Sequence, residues 1–161
     1  MKLEKAIFAC GCFWGAQYQF EHAKGVVRST VGYIGGYKEH PAYEEVKAHT
    51  TGHAEATLVE FDAEQTSFTE LCKLFFEIHD PAQTDGQGPD IGPQYRSEIF
   101  YLNDKQKEEA EAVIALLKEK GYEVNTKLTP ATTFWEGEEY HQHYYDKTGG
   151  EPYCHIRVKK F

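Results

Sequence analysis

No stretch of the 161 residues approaches the ~20 consecutive apolar residues of a membrane-spanning helix. Met1-Lys2-Leu3-Glu4-Lys5 at the N-terminus lacks the apolar run of a secretory signal peptide. Basic charge is equally short: 17 Lys and Arg stand against 26 Asp and Glu, a formal net charge of −9, which argues against nucleic acid as the main partner. There are only four cysteines, Cys10, Cys12, Cys72 and Cys154, too few and too irregularly placed for the disulfide framework of a secreted scaffold. These absences lead to the expectation of a cytoplasmic protein with neither membrane nor nucleic acid as partner, acting on a small molecule or another protein. Aromatics, by contrast, are plentiful. With 11 Tyr, 10 Phe and 2 Trp, the composition suits a site that holds an apolar group beside a polar one. The length suits a single domain spanning 1–161, large enough to bury a core without cross-links.

The most informative stretch is Gly11-Cys12-Phe13-Trp14-Gly15. Ala6 to Cys10 before it is apolar and reads as a buried strand, whereas Trp14 to Ala23 carries apolar residues at helical spacing, so Cys12 falls where strand becomes helix. Unpaired backbone N–H groups at a helix start favour an anion and lower a thiol pKa from its free value of ~8.5, which makes Cys12 a candidate thiolate nucleophile. Gly11 and Gly15 allow a tight turn and close approach, and Phe13 and Trp14 offer an apolar wall beside the sulfur. A buried core cysteine is the plainer alternative.

Further along, Val26 to Ile34 reads as a strand, Tyr37 to Gly52 as a long polar excursion with a short helix around Tyr43 to Ala48, and His53 to Phe61 as a third strand. Ser67 is placed to cap a helix with apolar Phe68, Leu71, Leu74, Phe75 and Ile78, in which Cys72 reads as a small buried hydrophobe. A polar loop from Ala82 to Gln94 leads to a strand from Arg96 to Tyr101. A helix capped by Asn103 follows from Asp104 to Lys120, with Ala112, Ile114, Leu116 and Leu117 as buried candidates. Tyr122 to Leu128 suggests another strand, Glu138 to Asp146 a last helix, and Gly149-Gly150 the start of a loose C-terminal tail carrying Cys154. The order predicts an α+β fold, a mixed β-sheet with packed helices.

A metal centre is not expected, and neither is any other cofactor. On the predicted helix His141 and His143 lie about 200 degrees apart, and Cys10 and Cys12 fall short of a paired Cys-x-x-Cys. Cys10 reads either as strand packing or as a second resolving thiol.

The Gly-Cys-Phe-Trp-Gly segment resembles the nucleophile motif of A-type peptide methionine sulfoxide reductases. Further segments resemble that family in order: Gly32-Tyr33-Ile34-Gly35-Gly36, Pro41-Ala42-Tyr43, Gly52-His53-Ala54-Glu55-Ala56, His79-Asp80-Pro81, Asp90 to Ser97, and Tyr140-His141-Gln142. Gln17 and Pro89 depart from it, standing where the family often has a glutamate and an asparagine. The resemblance implies a ferredoxin-like core and reduction of methionine S-sulfoxide, free or in proteins. Cys12 is then the nucleophile and Glu55 the proton donor. Tyr43 and Tyr95 bind the oxygen, Phe13, Trp14 and Asp90 bind substrate, and Cys154 resolves a sulfenic acid to a disulfide that thioredoxin reduces. A monomer is expected. The competing class is a thiol redox sensor that uses Cys12 and Cys154 as a switch.

Overall fold

A computed structural model describes residues 1–150, 152 and 155–161. Its elements in chain order are β1 (Leu3–Cys10), α1 (Phe13–Glu21), β2 (Val26–Ile34), α2 (Tyr43–Lys47), β3 (Ala54–Asp62) and α3 (Phe68–Glu77). There follow β4 (Gly86–Gln87), β5 (Asp90–Ile91), β6 (Ser97–Tyr101), α4 (Asp104–Glu119), β7 (Lys127–Pro130), β8 (Trp135–Glu136) and α5 (Tyr144–Thr148). The main sheet has the order β7-β6-β1-β3-β2-β8, with β1 antiparallel to both β3 and β6, and β7 parallel to β6. Its inner four strands with α1 and α3 form the β-α-β-β-α-β pattern of a ferredoxin-like core, as the resemblance implied.

The central place of β1 explains its unbroken apolar run, because strands covered on both faces need no polar alternation. Phe8 faces the helices and stacks on Phe20 at 5.0 Å, Phe75 at 5.3 Å and Phe68 at 5.8 Å. Its neighbours Ile7 and Ala9 face the other way, into a second cluster with Ile34, Ala54, Ala56 and Phe100. The two caps read from sequence are both present: Ser67 Oγ accepts from the Glu70 N–H and Asn103 Oδ1 from the Gln106 N–H.

Four expectations need correction. On α4 the buried stripe is Ala110, Val113 and Leu117; Ala112 and Leu116 face solvent and Ile114 is half-buried. The strand expected at Tyr122 to Leu128 forms only at Lys127–Pro130, where it pairs with β6. Within the polar loop, Gly86-Gln87 and Asp90-Ile91 pair as a small ladder, for which Gly88 supplies a positive φ of 54° and Pro89 a fixed negative one. The helix expected from Glu138 to Asp146 is broken into a 3₁₀ turn at Glu139–His141 and α5, because Gln142 is extended and His143 left-handed.

The tail beyond Gly149 has no regular element among its described residues, yet it is anchored. His155 Nε2 donates to the Cys10 carbonyl at 2.7 Å, the Val158 N–H donates to the Glu77 carbonyl at 2.8 Å, and Arg157 pairs with the Glu77 carboxylate. The His155 ring lies so close to Gly15 that a Cβ there would overlap it. Gly15→Ala is therefore expected to expel His155 and remove its hydrogen bond to the buried Cys10 carbonyl, costing about 1–3 kcal/mol. Thermal unfolding reads the loss and hydrogen exchange at Val158 reads the release; unchanged melting and protection would refute the role given to this contact.

Candidate active site

Sheet register brings the site together. Glu55 is the second residue of β3, two positions past the last β1 partner, Thr57, and so lies beside the end of β1 where the chain turns through Gly11 into α1. Ala54 and Ala56 point into the second apolar cluster, so Glu55, between them, points to the opposite face with its cross-strand partner Tyr33. Gly11 makes this turn at φ 98°, with Gln87 packed against it. Cys12 is the N-cap of α1, as its place between strand and helix suggested.

Glu55 is 1% exposed. One carboxyl oxygen accepts the Phe13 N–H at 3.2 Å; the other has no hydrogen-bond partner among the described residues. Burial raises this carboxyl from 4.5 to about 8, the Phe13 N–H opposes the rise and the Asp90 carboxylate adds to it. The acid is therefore mostly neutral at pH 7.

At Cys12 the sequence expectation fails in its sign. The Trp14 and Gly15 N–H groups do pull the thiol pKa down, but burial pushes it up more strongly and the Glu55 and Asp90 charges push it up further. The resting sulfur is a thiol. A helix start lowers a thiol pKa when the sulfur keeps solvent, and this one is largely desolvated and lies within electrostatic reach of two carboxyl groups.

Tyr43 and Tyr95 both lie within electrostatic reach of Cys12 and Glu55. Burial raises Tyr43 to about 12 and raises Tyr95 as well, so both hydroxyls remain donors. Phe13 is buried, with its ring 5.6 Å from Tyr33 and 6.4 Å from Tyr43; Trp14 is half-buried. The structure thus brings together Cys12, Phe13, Trp14, Tyr43, Glu55, Asp90 and Tyr95. Cys154 lies outside the described residues. A cleft of about 470 Å³ lined by residues such as Asp80, Tyr122 and Ile156 includes neither Cys12 nor Glu55.

Sequence reasoning gave no role to the segment that closes the site. Glu138 accepts the Tyr33 hydroxyl at 2.7 Å and the Tyr43 N–H at 2.9 Å, and the Gln142 amide bonds both the N–H and the carbonyl of Val31. His141 accepts the Trp14 indole N–H at 2.9 Å. The signal available was the motif Tyr140-His141-Gln142, which carried no chemistry of its own. Two further histidines, His53 and His79, are engaged elsewhere. His53 bridges the Gly36 N–H and the Lys38 carbonyl, and His79, held near 3 by burial, lies between the Phe75 carbonyl and Ser97. Gln17, the departure on α1, is buried and ties α1 to the Ser29 carbonyl and the His143 N–H.

The profile of the family described as peptide methionine sulfoxide reductase matches residues 4–161. The chain belongs to that family. MsrA of Geobacter sulfurreducens is 48% identical over 151 residues, 92% of this chain and 93% of that one. MsrA of Acinetobacter baumannii is 43% identical over 156 residues, 97% and 90% of the two chains. Among solved structures, Mxr1 from Saccharomyces cerevisiae in reduced form is similar with a TM-score of 0.91 at 34% identity, covering 97% of this chain and 92% of that one. Mxr1 in complex with Trx2 gives 0.66 at 24% identity over 98% and 91%, a likeness that speaks to the fold. As a member of the family, this protein is an oxidoreductase that reduces methionine sulfoxide to methionine. No helix among the described residues is long and apolar enough to cross a membrane.

The raised Glu55 pKa has a consequence for stability. In the unfolded chain this carboxyl ionises near 4.5, whereas in the fold it holds its proton to about 8, so its contribution is full below pH 4.5 and is lost as pH rises towards 8. Glu55→Gln, which keeps an acceptor for the Phe13 N–H and cannot ionise, should melt higher than the parent at pH 8, with the gap closing towards pH 5. Equal melting curves at pH 8 would contradict a buried, raised carboxyl.

Proposed function

We propose that Cys12 attacks the sulfur of the S epimer of methionine sulfoxide, free or in proteins, while Glu55 protonates the departing oxygen. The observation that carries this reading is the neutral, buried Glu55 carboxyl, one oxygen of which has no partner among the described residues, within electrostatic reach of the Cys12 thiol. A sulfoxide oxygen leaves poorly unless it is protonated, and a carboxyl held to about 8 is a competent acid at neutral pH. Tyr43 and Tyr95 donate to the same oxygen, Phe13 and Trp14 hold the S-methyl group, and Asp90 lies at the substrate's edge. With Glu55 neutral, one of the charges opposing Cys12 ionisation is gone, and the positive sulfur of the polarised sulfoxide favours the thiolate.

The balance is simple. The substrate S–O bond breaks and an S–O bond forms on Cys12, so two electrons pass from the cysteine sulfur to the substrate sulfur. Glu55 gives its proton to the oxygen and regains the one the thiol lost. Methionine leaves and Cys12 is a sulfenic acid. The Cys154 thiol condenses with it, releasing water and forming a disulfide, and the dithiol of thioredoxin reduces that disulfide by exchange. Supporting this are the resemblance of the tail to that of enzymes with a resolving cysteine, the anchoring of the neighbouring His155 beside Gly15, and the complex that yeast Mxr1 forms with Trx2. Cys10 is fully buried in the core, which favours packing over resolution. The reading is of a single domain acting as a monomer. A thioredoxin reductant favours a cytoplasmic setting, where thiols are kept reduced.

With dithiothreitol and pure epimers, the parent is expected to release methionine from the S epimer alone and Cys12→Ser from neither, since a neutral hydroxyl cannot replace the thiolate. Turnover by Cys12→Ser, or by the parent on the R epimer, would overturn the assignment. Cys154→Ser should release one methionine per active site and then stop with thioredoxin as sole reductant, leaving a trappable sulfenic acid. Continued turnover would assign resolution to another thiol.

A further inference from the structure

His141 takes no part in the steps above, yet aromatic rings enclose it. Tyr140 lies 4.1 Å from its ring, Tyr43 4.2 Å, Phe13 5.2 Å and Trp14 5.6 Å. The Trp14 indole N–H donates to His141 Nδ1 at 2.9 Å. An indole nitrogen can only donate, so Nδ1 is unprotonated and the neutral ring carries its hydrogen on Nε2. The residue is 1% exposed, and burial favours this neutral form against the pull of the Glu138 and Glu44 carboxylates. Trp14 is held a second time, its face stacked on Tyr144 at 3.9 Å and 8°.

Both holds come from one short segment, and that segment is fixed. Glu138 binds Tyr33 and Tyr43, Gln142 binds Val31 and the Gly137 carbonyl, and the His143 N–H donates to Gln17 at 2.6 Å. The indole is therefore pinned at its edge by one residue and at its face by another. A wall held in this way cannot swing out to admit a larger group. We propose that His141 and Tyr144 are positioning residues that set the size of the alkyl pocket, by pinning Trp14 so that the site takes a methyl sulfoxide and rejects a longer alkyl. This rests on the reading of Trp14 as the wall against the S-methyl group. One extra methylene separates substrates by about 10–200-fold in a pocket whose walls do not yield, and by much less in one whose walls do.

The test compares kcat/KM for methionine sulfoxide with that for ethionine sulfoxide, using dithiothreitol as reductant. The parent is expected to favour the methyl compound. In His141→Leu, which keeps bulk but removes the acceptor, the preference should fall about tenfold, chiefly through a lower KM for the ethyl compound. His141→Asn, whose Oδ1 can accept the indole N–H, should retain it. Tyr144→Leu, at a half-buried position, should relax the preference independently of how His141→Leu folds. In a Trp135→Phe background Trp14 is the sole tryptophan, and its emission should shift to the red in His141→Leu but not in His141→Asn. A purely structural role for His141 would lower both substrates together. An unchanged ratio in both leucine variants, or His141→Asn behaving like His141→Leu, would overturn the proposal. Absence of Cys12-dependent methionine from the parent would instead strike at the reading beneath it.

Discussion

The buried Glu55 carboxyl, to which among the described residues only the Phe13 N–H is bonded, is the constraint on which the rest of the site depends. A carboxylate taken out of water needs several donors to stay charged, and this one has a single donor among the described residues, so it keeps a proton instead. Its position follows from β-strand alternation: with Ala54 and Ala56 directed into an apolar cluster, Glu55 has only the Phe13 side of the sheet to occupy. The same Phe13 N–H belongs to the first residue of α1, directly after Cys12. Acid and thiol are thus joined through one backbone group, and any shift of α1 along β3 would disturb both.

Two segments distant in sequence hold that arrangement from outside. One is the run Glu138 to Tyr144, which fixes the Tyr43 end of α2, the edge of β2 and the Trp14 indole through side-chain hydrogen bonds. The other is the tail, whose His155 donates to the carbonyl of Cys10 two residues before the nucleophile. Neither segment is a long helix or strand. Irregular backbone of this kind stays ordered only when its polar groups find partners, which is the case for Gln142, His143 and His155.

The sheet and the main helices were legible because their signals are local. The apolar run of β1, the caps Ser67 and Asn103 and the stripe of α3 each lie within a few residues. On α4 the expectation holds at Leu117 and in part at Ile114 but fails at Ala112 and Leu116, which are as apolar as Ala110 and Val113, so that only packing tells them apart. Glu138 to Asp146 has helical composition, but Gln142 satisfies the backbone of Val31, 111 residues away, and that tertiary bond overrides the local preference. At the site, residue identities came from motifs, whereas the balance of charges did not. The helix start at Cys12 suggested a thiolate, and the outcome turned on burial and on two carboxyl groups contributed by β3 and β5.

The central claim is that an acid is held neutral beside the thiol, and infrared spectroscopy of the carboxyl stretch tests it most directly. A protonated carboxyl band that is present in the parent at pH 6, absent from Glu55→Gln and lost with a midpoint of about 8 is the predicted result. A band that titrates near 4.5, or one that persists in Glu55→Gln, would contradict the account.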